Sequence, residues 1–265
     1  MFSWPILDVR CANDGDDSMR SMLKLTLVEL KLFLRNPYGA FFTLIFPLMM
    51  LFMFGSIYGN EPLPLLGGYG SVDVSVPAYT AMIIATAGIL SLTIQISIYR
   101  ENGVLRRLKA TPLRPLTILT AQVIVIFLMT ALGMVLLVIA GKLVYGLRFD
   151  GNPFNVLAGF VLSSLSFFSL GFVLASLIPN ARTAQIVAMV LTYPMIFLSG
   201  ATIPLELLPE TVQNYAQILP LTHVVTLLRG LWVGDSWSEH FTEVGILAAI
   251  LVTGVVISAK TFRWE

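Results

Sequence analysis

One cysteine, Cys11, and two histidines, His223 and His240, are all the thiol and imidazole that 265 residues provide. A single thiol excludes a disulfide framework within the chain and a cysteine-based zinc site. Two imidazoles leave little for metal chemistry. Charge is scarce as well: 12% of the residues are Asp, Glu, Lys or Arg and 57% are hydrophobic, where soluble domains hold about 25% and about 45–50%. So little charge does not cover a soluble globule. The 16 basic and 15 acidic residues nearly cancel, which argues against a nucleic-acid binder. Catalytic signatures are missing too. Gly141-Lys142 is the only Gly-Lys pair, and Leu136 stands where a phosphate loop needs glycine, so no GxxxxGK[ST] cradle for ATP exists. Neither HExxH nor GxSxG occurs. His223, near Glu206, Glu210 and Thr222, reads as a polar interfacial residue rather than part of a triad.

What is present is long apolar runs. A membrane helix needs about 20 mainly apolar residues, and six segments qualify: Tyr38–Gly59, Pro77–Tyr99, Leu116–Tyr145, Phe154–Ile178, Ala184–Ile203 and Glu243–Phe262. The third exceeds a simple crossing and is expected to tilt or project. No run alternates with period two, which argues against a membrane barrel. The expected fold is all-α and integral to the membrane. Residues 1–18 read as an acidic, flexible tail, and 19–265 as one six-helix domain.

Basic residues set the orientation. With both termini inside, Arg10, Arg20, Lys24, Lys31, Arg35, Arg100, Arg106, Arg107, Lys109, Arg114, Arg182, Lys260 and Arg263 are cytoplasmic, 13 of the 16. Lys142, Arg148 and Arg229 fall outside. The expectation is N-in, C-in.

Three segments neither span nor float. In Ser21–Arg35, Leu23, Leu27, Leu30 and Leu34 make one stripe while Lys24, Lys31 and Arg35 lie elsewhere, an amphipathic interfacial helix ended by Asn36-Pro37. Arg100–Pro115 sets five basic residues against one acid, Glu101. Its apolar pair Leu105 and Leu108, and its terminators Pro112 and Pro115, suggest a short ordered element that docks on something. Pro204–Thr242 has an apolar core broken by Pro209 and Pro220, with two short helices expected near Pro209–Leu219 and Leu221–Trp232. It fits a re-entrant or interfacial hairpin in the outer leaflet, with Trp232 and Trp237 at the interface.

No ionisable residue lies in the middle of spans one, two, four or five, which counts against an ion-coupled carrier. The polar groups there are mild. Thr86, Thr93 and Ser97 share a face of the second span, and Ser163, Ser166 and Ser169 one of the fourth. Interhelical hydrogen bonding is the ordinary explanation, and the wall of a weakly polar route is the other. Gly55–Gly59 and Gly254–Ser258 are small-xxx-small patterns.

The six spans after an amphipathic helix, the run Arg100-Glu101-Asn102-Gly103-Val104-Leu105-Arg106-Arg107-Leu108-Lys109-Ala110-Thr111-Pro112-Leu113, and the hairpin with Leu207-Leu208-Pro209, Leu219-Pro220-Leu221-Thr222-His223 and Leu228-Arg229-Gly230 together resemble a known family. This is the permease subunit of type-2 ATP-binding-cassette (ABC-2) exporters, in the branch of drug-resistance and polysaccharide-export permeases. The resemblance covers Met19 to the C-terminus. Many relatives carry Thr where this chain has Val104.

The resemblance implies two permease chains, expected as a homodimer in the inner or plasma membrane, working with separate ABC ATPase subunits. Membrane lipids surround them, and nucleic acid has no part. ATP and Mg would belong to the ATPase, leaving this chain without cofactor or metal and not itself an enzyme. Glu101, Gly103, Leu105, Arg106, Arg107, Leu108 and Thr111 correspond to the coupling helix. Lys24, Leu27, Lys31 and Arg35 correspond to the connecting helix. Thr86, Thr93, Ser97, Thr192 and Tyr193 become candidate pathway residues. An uncharged route amid 17 Phe and 8 Tyr suits an amphipathic or lipophilic cargo. The rival class is a membrane scaffold or a channel. A channel is expected to show a charged ring or filter-like loop, and a scaffold does not need the ordered run after Arg100.

Overall fold

The computed structural model describes residues 37–104 and 115–261, together with 26, 27, 29–31 and 33. The acidic tail, and Lys24, Arg35, Leu105, Arg106, Arg107, Leu108 and Thr111, lie outside the described residues. Among the described residues every regular element is helical. Six helices are long and apolar enough to cross a membrane. They are α1 (Pro37–Ala40, the π-helical turn Phe41–Ile45, then Phe46–Tyr58), α2 (Ser71–Glu101, with the π-helical turn Thr86–Ser91), α3 (Pro115–Tyr145), α4 (Pro153–Leu177), α5 (Ala181–Leu198) and α8 (Phe241–Thr261). Two shorter helices, α6 (Glu210–Ala216) and α7 (Pro220–Val233), stand between α5 and α8.

All six expected spans are present, with shifted ends. The second starts at Ser71 rather than Pro77: ahead of the proline, the Asp73 carboxylate accepts the Gly70 backbone N–H at 3.0 Å and caps the first turn. The fifth stops at Leu198 rather than Ile203, where Gly200 turns the chain at φ +84°. The 31 residues of α3 extend about 46 Å at roughly 1.5 Å per residue, longer than a hydrocarbon core of about 30 Å. The two halves of the expected hairpin appear as α6 and α7, bent by 98°.

The most buried helix is α2, packed between α1, α3, α4, α5 and α7. Its crossing with α4 needs two glycines: a Cβ on Gly171 would lie 2.0 Å from the Gly88 carbonyl oxygen. The sequence reading had marked neither glycine. The serine face of α4 meets α8. Ser166 Oγ donates to the Leu247 carbonyl at 2.8 Å, Ser169 Oγ to that of Ile250 at 3.3 Å, and Ser176 shares a 2.8 Å bond with Thr261. Gly254 admits the Ser169 side chain, and Gly55 admits the Tyr145 ring. The small-residue patterns are thus contact points within one chain.

At the end of the bundle away from Arg100, Asp73 is 2% exposed. Its carboxylate accepts from Asn60 Nδ2 at 2.9 Å, Gly70 N at 3.0 Å and Arg148 N at 2.8 Å. Asn60 Oδ1 in turn accepts from Val72 N and Asp73 N. This knot fastens the ends of α1, α2 and α3. Trp232 is not at a surface: it is 4% exposed, donates Nε1–H to the Arg148 carbonyl at 3.0 Å and meets Phe149 edge-on. That corrects the expectation of a Trp232 interface anchor. Burial among α2, α4 and α8 wins because the indole N–H finds a carbonyl there. Trp237 is half-buried.

Candidate functional site

At the Arg100 end, the last two residues of α2 hold two other helices. The final carbonyls of α4 have no partner within their own helix. The Arg100 guanidinium supplies one, donating Nη1–H to Ala175 O at 2.9 Å and Nη2–H to Ile178 O. A cation at a helix C-terminus is also favoured by the helix dipole. The neighbouring Glu101 does the converse: its Oε2 accepts from Ala181 N at 2.9 Å, at the first residue of α5. Asn180 completes that cap by accepting from Thr183 N at 2.8 Å. Beyond Glu101 the chain turns through Gly103 at φ +63°, a left-handed conformation that favours glycine. Adjacent residues of opposite charge thus bind the end of α4 and the start of α5, just where the chain leaves for the Leu105–Arg114 segment.

A second cluster lies beside this joint. Glu29, on the helical residues ahead of α1, is 6% exposed. The Tyr99 hydroxyl donates to its two carboxylate oxygens at 2.8 and 2.7 Å. Burial raises the Glu29 carboxyl above its ordinary value of 4.5, and the tyrosine bond works against that rise. Leu27 is 58% exposed and Lys31 exposed. The side of this helix that meets α2 therefore carries Glu29, and the leucine stripe is not wholly buried. The sequence reading missed Glu29. Its one available signal was an acid in a helix whose other charges are basic.

The candidate pathway residues are buried or half-buried. Thr86, Thr93, Ser97 and Thr192 are 5, 0, 0 and 0% exposed, and Tyr193 is half-buried. Thr93 Oγ1 donates to the Gly171 carbonyl at 3.1 Å, and Thr86 Oγ1 to those of Met82 and Ile83 at 3.0 Å. The Ser97 and Thr192 hydroxyls are buried without a hydrogen-bond partner, as are both amide atoms of Gln122. Each such orphan costs about 1–3 kcal/mol. Among the described residues no cluster of His, Cys, Asp or Glu fits a metal ion.

Residues 21–232 match the family model described as ABC-2 type transporter. The chain belongs to that family. As an ABC-2 chain with six such helices it is a multi-pass membrane protein. Members of the family are membrane permease subunits of ABC transporters, with ATP hydrolysis on a separate subunit. Among similar proteins, nodulation protein J of Rhizobium leguminosarum bv. viciae is 31% identical over 102 residues, 38% of this chain and 39% of the relative. Inner membrane transport permease YhhJ of Escherichia coli (strain K12) is 26% identical over 171 residues, 61% and 45% of the two chains. The probable multidrug ABC transporter permease YbhR of the same strain is 26% identical over 162 residues, 61% and 44%. The ABC-2 chain thus spans less than half the length of the curated relatives it matches.

Proposed function

We propose that this chain is the permease subunit of an ATP-driven exporter of the inner membrane, pairing with a second copy and with a separate ABC ATPase. The observation that carries the reading is the Arg100–Glu101 joint. A segment that docks on a motor must be fastened to the helices it moves, and here its first residues cap both α4 and α5. Glu101, Gly103, Leu105, Arg106, Arg107, Leu108 and Thr111 form the docking run. Leu105 and Leu108 supply apolar contact, and the basic residues steer toward acidic partner groups. The connecting-helix role of Lys24, Leu27, Lys31 and Arg35 belongs to the same reading. In this reading Arg100 is cytoplasmic, and α6 with α7 closes the outer side as a hairpin that does not span.

The route for cargo runs along α2 and α5. Thr86, Thr93, Ser97 and Thr192 are sealed in the single chain, so the exporting state requires α5 to part from α2, giving Ser97 and Thr192 the partners they lack. The uncharged wall favours an amphipathic or lipophilic cargo. Among the relatives, the name of YbhR refers to multiple drugs, which agrees with such a cargo. A scaffold gains nothing from the joint, and nothing favours a channel.

The experiment is ATP hydrolysis in liposomes, with the chain alone and with its ATPase. The chain alone is expected to be inactive, and the complex to hydrolyse ATP faster when cargo is present. Stoichiometric hydrolysis by the chain alone would refute the reading.

A further inference from the structure

One cavity borders the π-helical turn of α2 at Ser91. It is lined by Glu29, Phe33, Gly39, Ser91, Gln95 and Gln122. The turn Phe41–Ile45 begins two residues after Gly39, and Ser91 closes the turn Thr86–Ser91. Single π-helical turns are rare and frequent at functional sites.

The groups facing this cavity are unbalanced. Glu29 contributes a buried carboxylate. Its partner Tyr99 has one proton, shared between the two oxygens, so further acceptor positions stay open. Gln122 is 2% exposed, with oxygen and nitrogen both unpartnered. Ser91 and Gln95 add two more acceptor oxygens. Among the described residues, α1 lines the cavity with Gly39 and α3 with neutral Gln122, Val125 and Ile126. Among the described residues no lysine, arginine or histidine pairs with Glu29, and Lys31 on its own helix is exposed. A buried carboxylate is costly unless it takes up a proton or a positive group reaches it. The space holds about two water-sized groups. That admits a primary ammonium, whereas a trimethylated one has no N–H to donate to these oxygens.

We propose that this cavity binds a primary ammonium group, carried by an ethanolamine lipid headgroup or by an amine-bearing cargo. Glu29 is the counter-charge. The oxygens of Gln122, Gln95 and Ser91 offer acceptors for the two remaining N–H bonds, and the Gln122 amide N–H is left to donate to an oxygen further along the ligand. With Arg100 cytoplasmic, the cavity lies on the inner-leaflet side of the chain, where such a lipid or cargo arrives. The binding belongs to this chain alone and is measured without ATPase. Its failure therefore leaves the permease reading intact.

The test uses the full chain in phosphatidylcholine nanodiscs. One arm adds dioleoyl phosphatidylethanolamine and follows retained lipid by native mass spectrometry. The other titrates 2-phenylethylammonium chloride and follows heat of binding. At least one probe is expected to bind, at least tenfold more weakly to Glu29→Gln, and its N-trimethylated counterpart not at all. Binding in the first arm assigns a lipid headgroup, and binding in the second alone assigns a free amine. Should Glu29→Gln fail to insert, Gln122→Leu carries the same comparison. Absence of binding in both arms, equal binding of the trimethylated probes, or undiminished binding in the variants would overturn the proposal.

Discussion

Glu101 and Ala181 are 80 residues apart in sequence, and the carboxylate of one accepts the backbone N–H of the other at 2.9 Å. This bond ties the end of α2 to the start of α5. An N-terminal cap contributes about 0.5–2 kcal/mol. Glu101→Ala is expected to lower the stability of the detergent-solubilised chain by about that much, while Glu101→Gln, which keeps an acceptor oxygen, loses less. Thermal unfolding of the two variants checks the order. Equal stability of Glu101→Ala and wild type would mean that the bond contributes nothing.

The Gly88–Gly171 crossing gives a second prediction. A methyl group on Gly171 meets the Gly88 carbonyl, whereas one on Gly245 meets nothing within 4 Å. Overpacking of this kind costs about 1–3 kcal/mol. Gly171→Ala is expected to destabilise the chain by that order and Gly245→Ala to be near neutral, read as midpoints of thermal unfolding in the same detergent.

A third concerns Asp73. Removing its carboxylate leaves the Asn60 amide and the backbone N–H groups of Gly70 and Arg148 without their acceptor. Hydrogen bonds to a charged group contribute about 1.5–3 kcal/mol. Asp73→Ala is expected to lose about 3 kcal/mol or more, and Asp73→Asn, which retains one oxygen, roughly half of that. Proteolysis between α1 and α2 should rise in the same order.

The fourth is a pH dependence. Burial holds the Glu29 carboxyl above its ordinary 4.5, so the docked state prefers the protonated form. The stabilisation this gives is full below 4.5 and is lost as pH rises through the elevated value. Without amine, protection of residues 26–33 from hydrogen exchange, corrected for its intrinsic pH dependence, should fall across that window. Glu29→Gln should flatten the profile. Amine, by favouring the carboxylate, should restore protection at the upper end.

Much of this was legible from composition and spacing. Six apolar runs became six helices, two of the three serines on the α4 face, Ser166 and Ser169, bond to α8 while Ser163 finds no partner, and Pro209 and Pro220 marked the starts of α6 and α7. The chemistry of the joint was not. Nothing in the order Tyr99-Arg100-Glu101 says that the three side chains diverge to Glu29, to the end of α4 and to the start of α5. Those partners lie 70 to 80 residues away. The π-helical turns were hidden for a related reason. One residue more per turn re-aims a helix face without leaving a compositional mark. Trp232 was misplaced because an apolar, half-helical stretch looks the same whether it faces lipid or a neighbouring helix.

The account rests on a docking run that begins at the Arg100–Glu101 joint. Apolar burial contributes about 1.5–3 kcal/mol per leucine, against about 0–1 kcal/mol for an exposed ion pair. The most direct measurement is co-purification of an ABC ATPase with the tagged chain from its own membranes, for wild type, Leu105→Ala with Leu108→Ala, and Arg106→Ala. The ATPase is expected with wild type and nearly unchanged with Arg106→Ala, and largely lost from the double leucine variant while that variant still inserts. Full retention of the ATPase by the double leucine variant, or no ATPase with wild type, would contradict the account.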